Sequence, residues 1–234
     1  EGYAVGTLQQ VATTPFGTEL AVYRISDGTL QWKRSEPAPI DERELAIFDG
    51  QLYAHTRGNW MACSDLATGE VLWKNTDPEL LEKLGAQRTG PYMSISYRIL
   101  VATPEVLYFA AAIRDYRVAM DRADGTLLWS EKLGKTRLSL NDVIVGNTLI
   151  KDGQQGTVDL KSNEKLEQIA VPHQGCGPSF CTTEFFITQF GQVSTMSMSG
   201  EVLRRGDLKA PCDLGVVIAD GVGFSPPSAC RCPH

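Results

Sequence analysis

The feature that most constrains the fold is a nine-residue stretch written three times. Asp65-Leu66-Ala67-Thr68-Gly69-Glu70-Val71-Leu72-Trp73 is the clearest copy. Asp121 to Trp129 repeats it around Asp124-Gly125, and Arg24 to Trp32 repeats it around Asp27-Gly28, with Arg24 in place of the first Asp. Each copy predicts two short strands joined by a turn, because Thr-Gly or Asp-Gly supplies the positive φ that such a turn needs and apolar residues flank it. Three of the four tryptophans stand at one place in this unit. An indole repeated at a fixed position is expected to anchor neighbouring repeats, since one small sheet cannot bury its own apolar face.

The pattern Asp-x-x-Thr-Gly-x-x-x-Trp resembles the tryptophan-docking motif of pyrroloquinoline-quinone-like (PQQ-like) β-propeller repeats. The expected anchors are Trp32, Trp73 and Trp129 together with Asp65, Gly69, Asp121 and Gly125. The resemblance implies an all-β propeller of about five to six four-stranded blades, or an arc of a larger propeller. It also implies export to the periplasm or the extracellular space. Architecture does not settle function.

Walking the chain extends the rhythm beyond the three tryptophans. The first unit is expected to have strands at Leu8 to Ala12, Leu20 to Ile25 and Leu30 to Lys33, followed by a join at Pro37 and Pro39. Strands then fall at Gln51 to His55, Met61 to Asp65 and Val71 to Trp73, and a third unit runs from about Tyr97 to Leu133. A fourth keeps the period with Ser162-Asn163 at the turn and Glu167 at the Trp position. A fifth spans Glu184 to Arg205, and a partial sixth spans Gly215 to Phe224. Residues 1–234 are therefore expected to form a single β-propeller domain, with 77–94 an inserted loop and 206–234 a Cys-rich closing segment. Within the insert, Pro78 at a first helical position and the spacing of Leu80, Leu81 and Leu84 predict one short helix. The half-unit at the end implies closure with residues 3–25, or a partner chain or missing segment that completes the propeller.

Charge and composition narrow the partners. A net charge of -6 with scattered basic residues argues against nucleic acid. No stretch approaches the roughly 18 apolar residues of a membrane span. The chain opens at Glu1-Gly2 without an initiator Met or leader, as a mature product or a piece of something longer would, and no N-terminal Cys offers a lipid site.

Chemistry, where the sequence hints at it, lies in the tail. Five of the six cysteines, Cys176, Cys181, Cys212, Cys230 and Cys232, follow residue 175. His173, Cys176, Cys230, Cys232 and His234 have the composition of a soft-metal site, although no Cys-x-x-Cys occurs. The alternatives are disulfides, as exported proteins form them, and free thiols. Cys212 with Cys230 or Cys232 would close over one hairpin, and Cys176 with Cys181 over a Gly-Pro turn. The tail also resembles the C-terminal part of PQQ-like repeat proteins of unassigned role. Cys63, beside Ala62 in a strand, is expected as a buried small hydrophobe, and His55, at a strand end, as a solvated residue.

The resemblance leaves two functional readings. One is a non-enzymatic binding or scaffold module with no cofactor, whose partner is a protein or another component of the cell envelope. The other is a quinoprotein oxidoreductase using PQQ with Ca²⁺, for which the family's enzymes carry an adjacent Cys-Cys pair that this sequence does not contain. Asp27, Asp65, Asp121 and Asp124 are accounted for by turns, and no catalytic residue is assigned.

Overall fold

The computed structural model describes residues 3–9, 16–86, 99–110, 115–133, 142–151, 157–166, 180–181, 185–190, 192–197, 201–205, 217–219 and 222–224. Two compact units result, residues 1–91 with 96–134 and residues 92–95 with 135–234.

The larger unit holds the three tryptophan-bearing copies. Its strands are β1 (Tyr3–Gln9), β2 (Phe16–Arg24), β3 (Leu30–Phe48), β4 (Gln51–Thr56), β5 (Trp60–Asp65) and β6 (Val71–Asn75), antiparallel in that order in one sheet. Helix α1 (Pro78–Gly85) follows, and then β7 (Leu100–Ala102), β8 (Val106–Phe109), β9 (Tyr116–Asp121) and β10 (Leu127–Lys132) form a second sheet.

Where the sequence predicts a proline-rich join, β3 instead runs for 19 residues through Pro37 and Pro39. Its first part pairs with β2 up to Ser35, pairing resumes at Ile40, and Leu45 to Phe48 pair with β4. Glu36 to Pro39 stand outside both ladders, so the missing proline N–H groups leave no rung empty. One long strand thereby passes from the first repeat into the second.

The second repeat is buried on both sides, and alternation along its strands divides its residues between two cores. Leu52, Ala54, Trp60 and Ala62 join Leu20, Val22 and Ile40, with Trp32 packed against them. Tyr53, Met61 and Cys63 join Leu100, Leu107, Phe109, Val118 and Met120 of the next sheet, with Trp73 packed against that cluster. Cys63 is a free thiol, fully buried there, and burial pushes its pKa up. Helix α1 closes the same core through Leu80 and Leu84. Asp77 caps it by accepting from the Glu79 amide at 2.8 Å, with Pro78 in the first turn.

In the other unit, β11 (Val143–Val145), β12 (Thr148–Ile150) and β13 (Thr157–Asp159) form one antiparallel sheet. Strands β14 (Phe180–Cys181), β15 (Phe185–Phe190), β16 (Gln192–Ser197) and β17 (Val202–Arg205) form a second, and β18 (Val217–Ala219) pairs with β19 (Val222–Phe224). The fourth repeat keeps the turn without the glycine: Asn163 adopts φ 62° at the position where the other copies have Gly. Asn tolerates that conformation better than most side chains, and its Oδ1 accepts from Lys151 Nζ at 2.8 Å.

Candidate functional site

The repeated stretch folds into one loop in all four copies. The backbone N–H of its fifth residue donates to the carbonyl of its first, from Gly28 to Arg24, Gly69 to Asp65, Gly125 to Asp121 and Asn163 to Asp159. Where the first residue is Asp, its carboxylate accepts from the loop amides. Asp65 takes Ala67 and Thr68, Asp121 takes Ala123, and Asp159 takes Lys161 and Ser162. Those hydrogen bonds hold the Asp65 and Asp159 carboxyls below the usual range. Arg24 cannot accept, and in the first copy Asp27 bonds the Thr29 amide at 3.0 Å instead.

The loops at Gly69 and Gly125 are also seats for the tryptophan of the preceding copy. Trp32 lies so close over Gly69 that an added Cβ would stand 2.7 Å from the indole. At Gly125 the same atom would stand 2.5 Å from Trp73. Real side chains do not approach that closely, so glycine is required both for its positive φ and for the contact. The indole N–H completes the seat: Trp32 Nε1 donates to the Leu66 carbonyl at 2.9 Å, and Trp73 Nε1 to the Arg122 carbonyl at 3.2 Å. Two residues beyond each tryptophan, a polar side chain bonds the seat glycine, with Arg34 Nη1 3.2 Å from the Gly69 carbonyl and Asn75 Nδ2 2.8 Å from that of Gly125. Arg122 reaches back across the second junction to Gln51 Oε1 and the Tyr53 hydroxyl.

Trp129 occupies the equivalent place on β10, its ring 6.1 Å from that of Tyr108. Trp73 stands at the same distance from Tyr53 in the sheet before.

A second group of polar side chains lies where β3 enters the second repeat. Asp41, Glu44 and His55 are fully buried. Asp41 Oδ1 accepts from Arg43 Nε at 2.8 Å and Oδ2 from Arg43 Nη2 at 2.5 Å, and Arg57 Nη2 lies 3.6 Å from Asp41 and 3.9 Å from Glu44. His55 Nδ1 is 2.6 Å from Glu44 Oε2, and its ring meets the Phe109 ring edge-on at 5.6 Å. Burial, reinforced by the positive Arg57 and opposed by Asp41, pushes the His55 pKa down to about 3. Burial thus favours the neutral ring, and a proton on Nδ1 would be donated to Glu44. The strand-end His expected to face water is a core residue, because the edge of Phe109 and the two acids enclose it.

The family model for the outer membrane protein assembly factor BamB matches residues 10–174. The chain belongs to this family. In keeping with that, the solved structure of BamB from Moraxella catarrhalis aligns with a TM-score of 0.57 at 12% identity, covering 93% of this chain and 64% of that one. The computationally designed Ika8 protein aligns with a TM-score of 0.59 at 13% identity, covering 95% of this chain and 67% of that one. At such identities the likeness is one of fold: an all-β, propeller-like succession of antiparallel sheets. The chain spans 64% of the length of the BamB structure it matches. No curated protein matches it.

For this BamB-family chain, the residues singled out in the sequence fall into two sets. Trp32 with Gly69 and Trp73 with Gly125 come together across repeats, and Asp65 and Asp121 hold the loops in shape. Of the tail, Cys181 is placed by its backbone, paired with Phe186 in β14 and β15. His173, Cys176, Cys212, Cys230, Cys232 and His234 lie outside the described residues. Among the described residues, no group of three or more His, Cys, Asp or Glu could hold a metal ion, and no helix is long and apolar enough to cross a membrane.

Sequence reasoning passed over Asp41, Glu44 and Arg57. A run of four charged residues, Asp41-Glu42-Arg43-Glu44, leads into a strand that must be buried, and that was the available signal. It also passed over Arg34 and Asn75, whose shared offset from a tryptophan was legible.

Proposed function

We propose that this chain is a non-enzymatic binding module, exported to the periplasm or cell surface, whose partner is a protein of the cell envelope. The observation that carries the reading is the family match to an outer membrane protein assembly factor over residues 10–174. The repeat geometry supports it. Trp32 and Trp73 join one repeat to the next and Asp65 holds its own loop in shape, which makes a rigid support for a binding surface. The buried Glu44–His55 pair serves that rigidity as well, since neither side chain reaches water.

The test is photo-crosslinking in living cells from Leu72, a half-exposed apolar side chain on β6. The expected result is a discrete adduct with an envelope protein, together with recovery of the chain in the periplasmic or surface fraction. Deleting the gene should lower the content of folded outer membrane proteins. Recovery in the cytoplasm, or oxidation of alcohols by the purified chain supplied with PQQ and Ca²⁺, would overturn the reading.

A further inference from the structure

In an Asp-Gly pair the aspartyl side chain can close on its own backbone, because glycine has no side chain to shield the amide nitrogen that would attack. The sequence holds five such pairs, and the structure describes three of them: Asp27-Gly28, Asp49-Gly50 and Asp124-Gly125. In two of these, both reacting groups are tied down. The Gly28 N–H donates to the Arg24 carbonyl at 2.9 Å, and the Gly125 N–H to the Asp121 carbonyl at 2.8 Å. Asp27 accepts from the hydroxyl and the amide of Thr29, and Asp124 from the Thr126 amide at 2.9 Å. Those bonds hold both carboxyls below the usual range, and an ionised carboxylate is a poor electrophile. The Trp73 ring covers Gly125 as well.

Asp49-Gly50 differs in each respect. It forms the two-residue turn between β3 and β4, where Phe48 pairs with Gln51, and both residues are exposed. Among the described residues, the Gly50 N–H donates to no group and the Asp49 carboxylate accepts from none. Nothing lies within 4 Å of where a Gly50 Cβ would stand. Asp49 also has φ 50°, and Asn163 is the only other described residue with a Cβ to adopt positive φ. That conformation is strained for an L side chain, so release of the strain offsets part of the cost of opening the turn.

We propose that Asp49-Gly50 is a site of spontaneous isoaspartate formation in the folded chain. The Gly50 nitrogen attacks Cγ of the protonated Asp49 carboxyl. The N–Cγ bond forms, a Cγ–O bond breaks, and the proton of the nitrogen leaves with the hydroxyl as water, giving a five-membered cyclic imide. Hydrolysis returns one water. Opening at Cγ restores aspartate, whereas opening at the Asp49 carbonyl carbon leaves the main chain running through Cγ. No other reactant is required. The extra main-chain carbon then lies in a turn on which a repeat junction depends. The Gly50 carbonyl accepts from the Leu66 N–H at 2.9 Å, and the Leu66 carbonyl accepts from the Trp32 indole at 2.9 Å. Modification of the turn is thereby transmitted to the joint between the first and second repeats.

The test is prolonged incubation of the folded full chain at neutral pH in water enriched in heavy oxygen, followed by transfer to ordinary water, digestion and mass spectrometry. Each imide hydrolysis leaves one heavy oxygen in its peptide. The Asp49 peptide is expected to label at least about tenfold faster than the Asp27 and Asp124 peptides, because each of those pairs must first give up an amide and a carboxylate hydrogen bond. In urea the three are expected to label at similar rates, which assigns the difference to the fold. A protease that cuts before aspartate should progressively lose its cut before position 49, since the iso form is not its substrate. Asp49→Gly removes the electrophile, suits a turn with positive φ at both central residues, and should abolish labelling of that peptide. The aged chain is expected to unfold at lower urea than the fresh one, and the Asp49→Gly chain to show no such drift. Labelling of Asp49 no faster than that of Asp27 and Asp124 in the folded chain, or undiminished in Asp49→Gly, overturns the site. Conversion of Asp49 with an unchanged urea midpoint overturns the link to the repeat junction.

Discussion

Gly69 carries two requirements at once, and substitution separates them. Its φ of 77° is strained for any L side chain, and a Cβ there would stand 2.7 Å from the Trp32 ring. Gly28 has the same backbone strain without the neighbour. Gly28→Ala is therefore expected to destabilise by about 1 kcal/mol, from backbone strain alone. Gly69→Ala is expected to cost about 2 to 4 kcal/mol, because the indole must also be displaced. Urea melts of the two variants check this, and equal losses would refute the seat at Gly69. Trp73→Ala removes the ring from its seat over Gly125 and leaves a cavity against the second core, with an expected loss of about 3 to 5 kcal/mol. These contacts were legible as a motif, since the sequence repeats the turn and the tryptophan together. The partner of each tryptophan was not, because Trp32 and Leu66 are far apart in sequence and nothing local to either specifies the other.

At the scale of elements, β3 and β4 meet over a set of charges that the strand pattern alone would not place inside. Asp41 and Glu44 sit where β3 changes partners, and the register shift between Ile40 and Leu45 turns both carboxylates toward Arg43, Arg57 and His55. Since folding depresses the His55 pKa from its ordinary 6.5 to about 3, the folded state favours the neutral ring. The resulting stability is complete above pH 6.5 and declines as the pH falls toward 3, with a slope of up to about 1.4 kcal/mol per pH unit. Denaturant melts at pH 7, 5.5 and 4.5 are expected to show this decline, and His55→Gln should flatten it. A wild-type profile as flat as the variant's would show that His55 titrates normally. Replacing Glu44 by Leu is expected to cost about 3 kcal/mol, by leaving buried donors without their acid. The prolines of the same strand were read as a break, and only the pairing shows why they are accommodated: they occupy the stretch that pairs with neither neighbouring strand.

For the whole molecule, the family and the all-β fold follow from the repeat, and the role of the tail is decided by chemistry in solution. Melting with dithiothreitol and, separately, with EDTA distinguishes the two readings of Cys176, Cys181, Cys212, Cys230, Cys232 and the neighbouring histidines. A disulfide-bonded tail is expected to lower the melting temperature in reductant and not in chelator, and a metal-holding tail in chelator. Cys63 does not confuse the result, because it is a free thiol enclosed by the second core. The strands of the fourth, fifth and partial sixth repeats were read from alternation and turn residues even where tryptophan is absent, and β11 to β13 and β15 to β19 fall there. That follows from strand and turn signals being carried by neighbouring residues.

The sequence by itself determined what neighbours along the chain can decide: the loops, the glycines or Asn163 that hold positive φ, the aspartates that accept their amides, and the strands on either side. Tertiary structure alone decided which loop receives which indole and that His55 is a core residue. Those outcomes depend on residues distant in sequence meeting in space, where burial and close approach, rather than local conformational preference, set the energy.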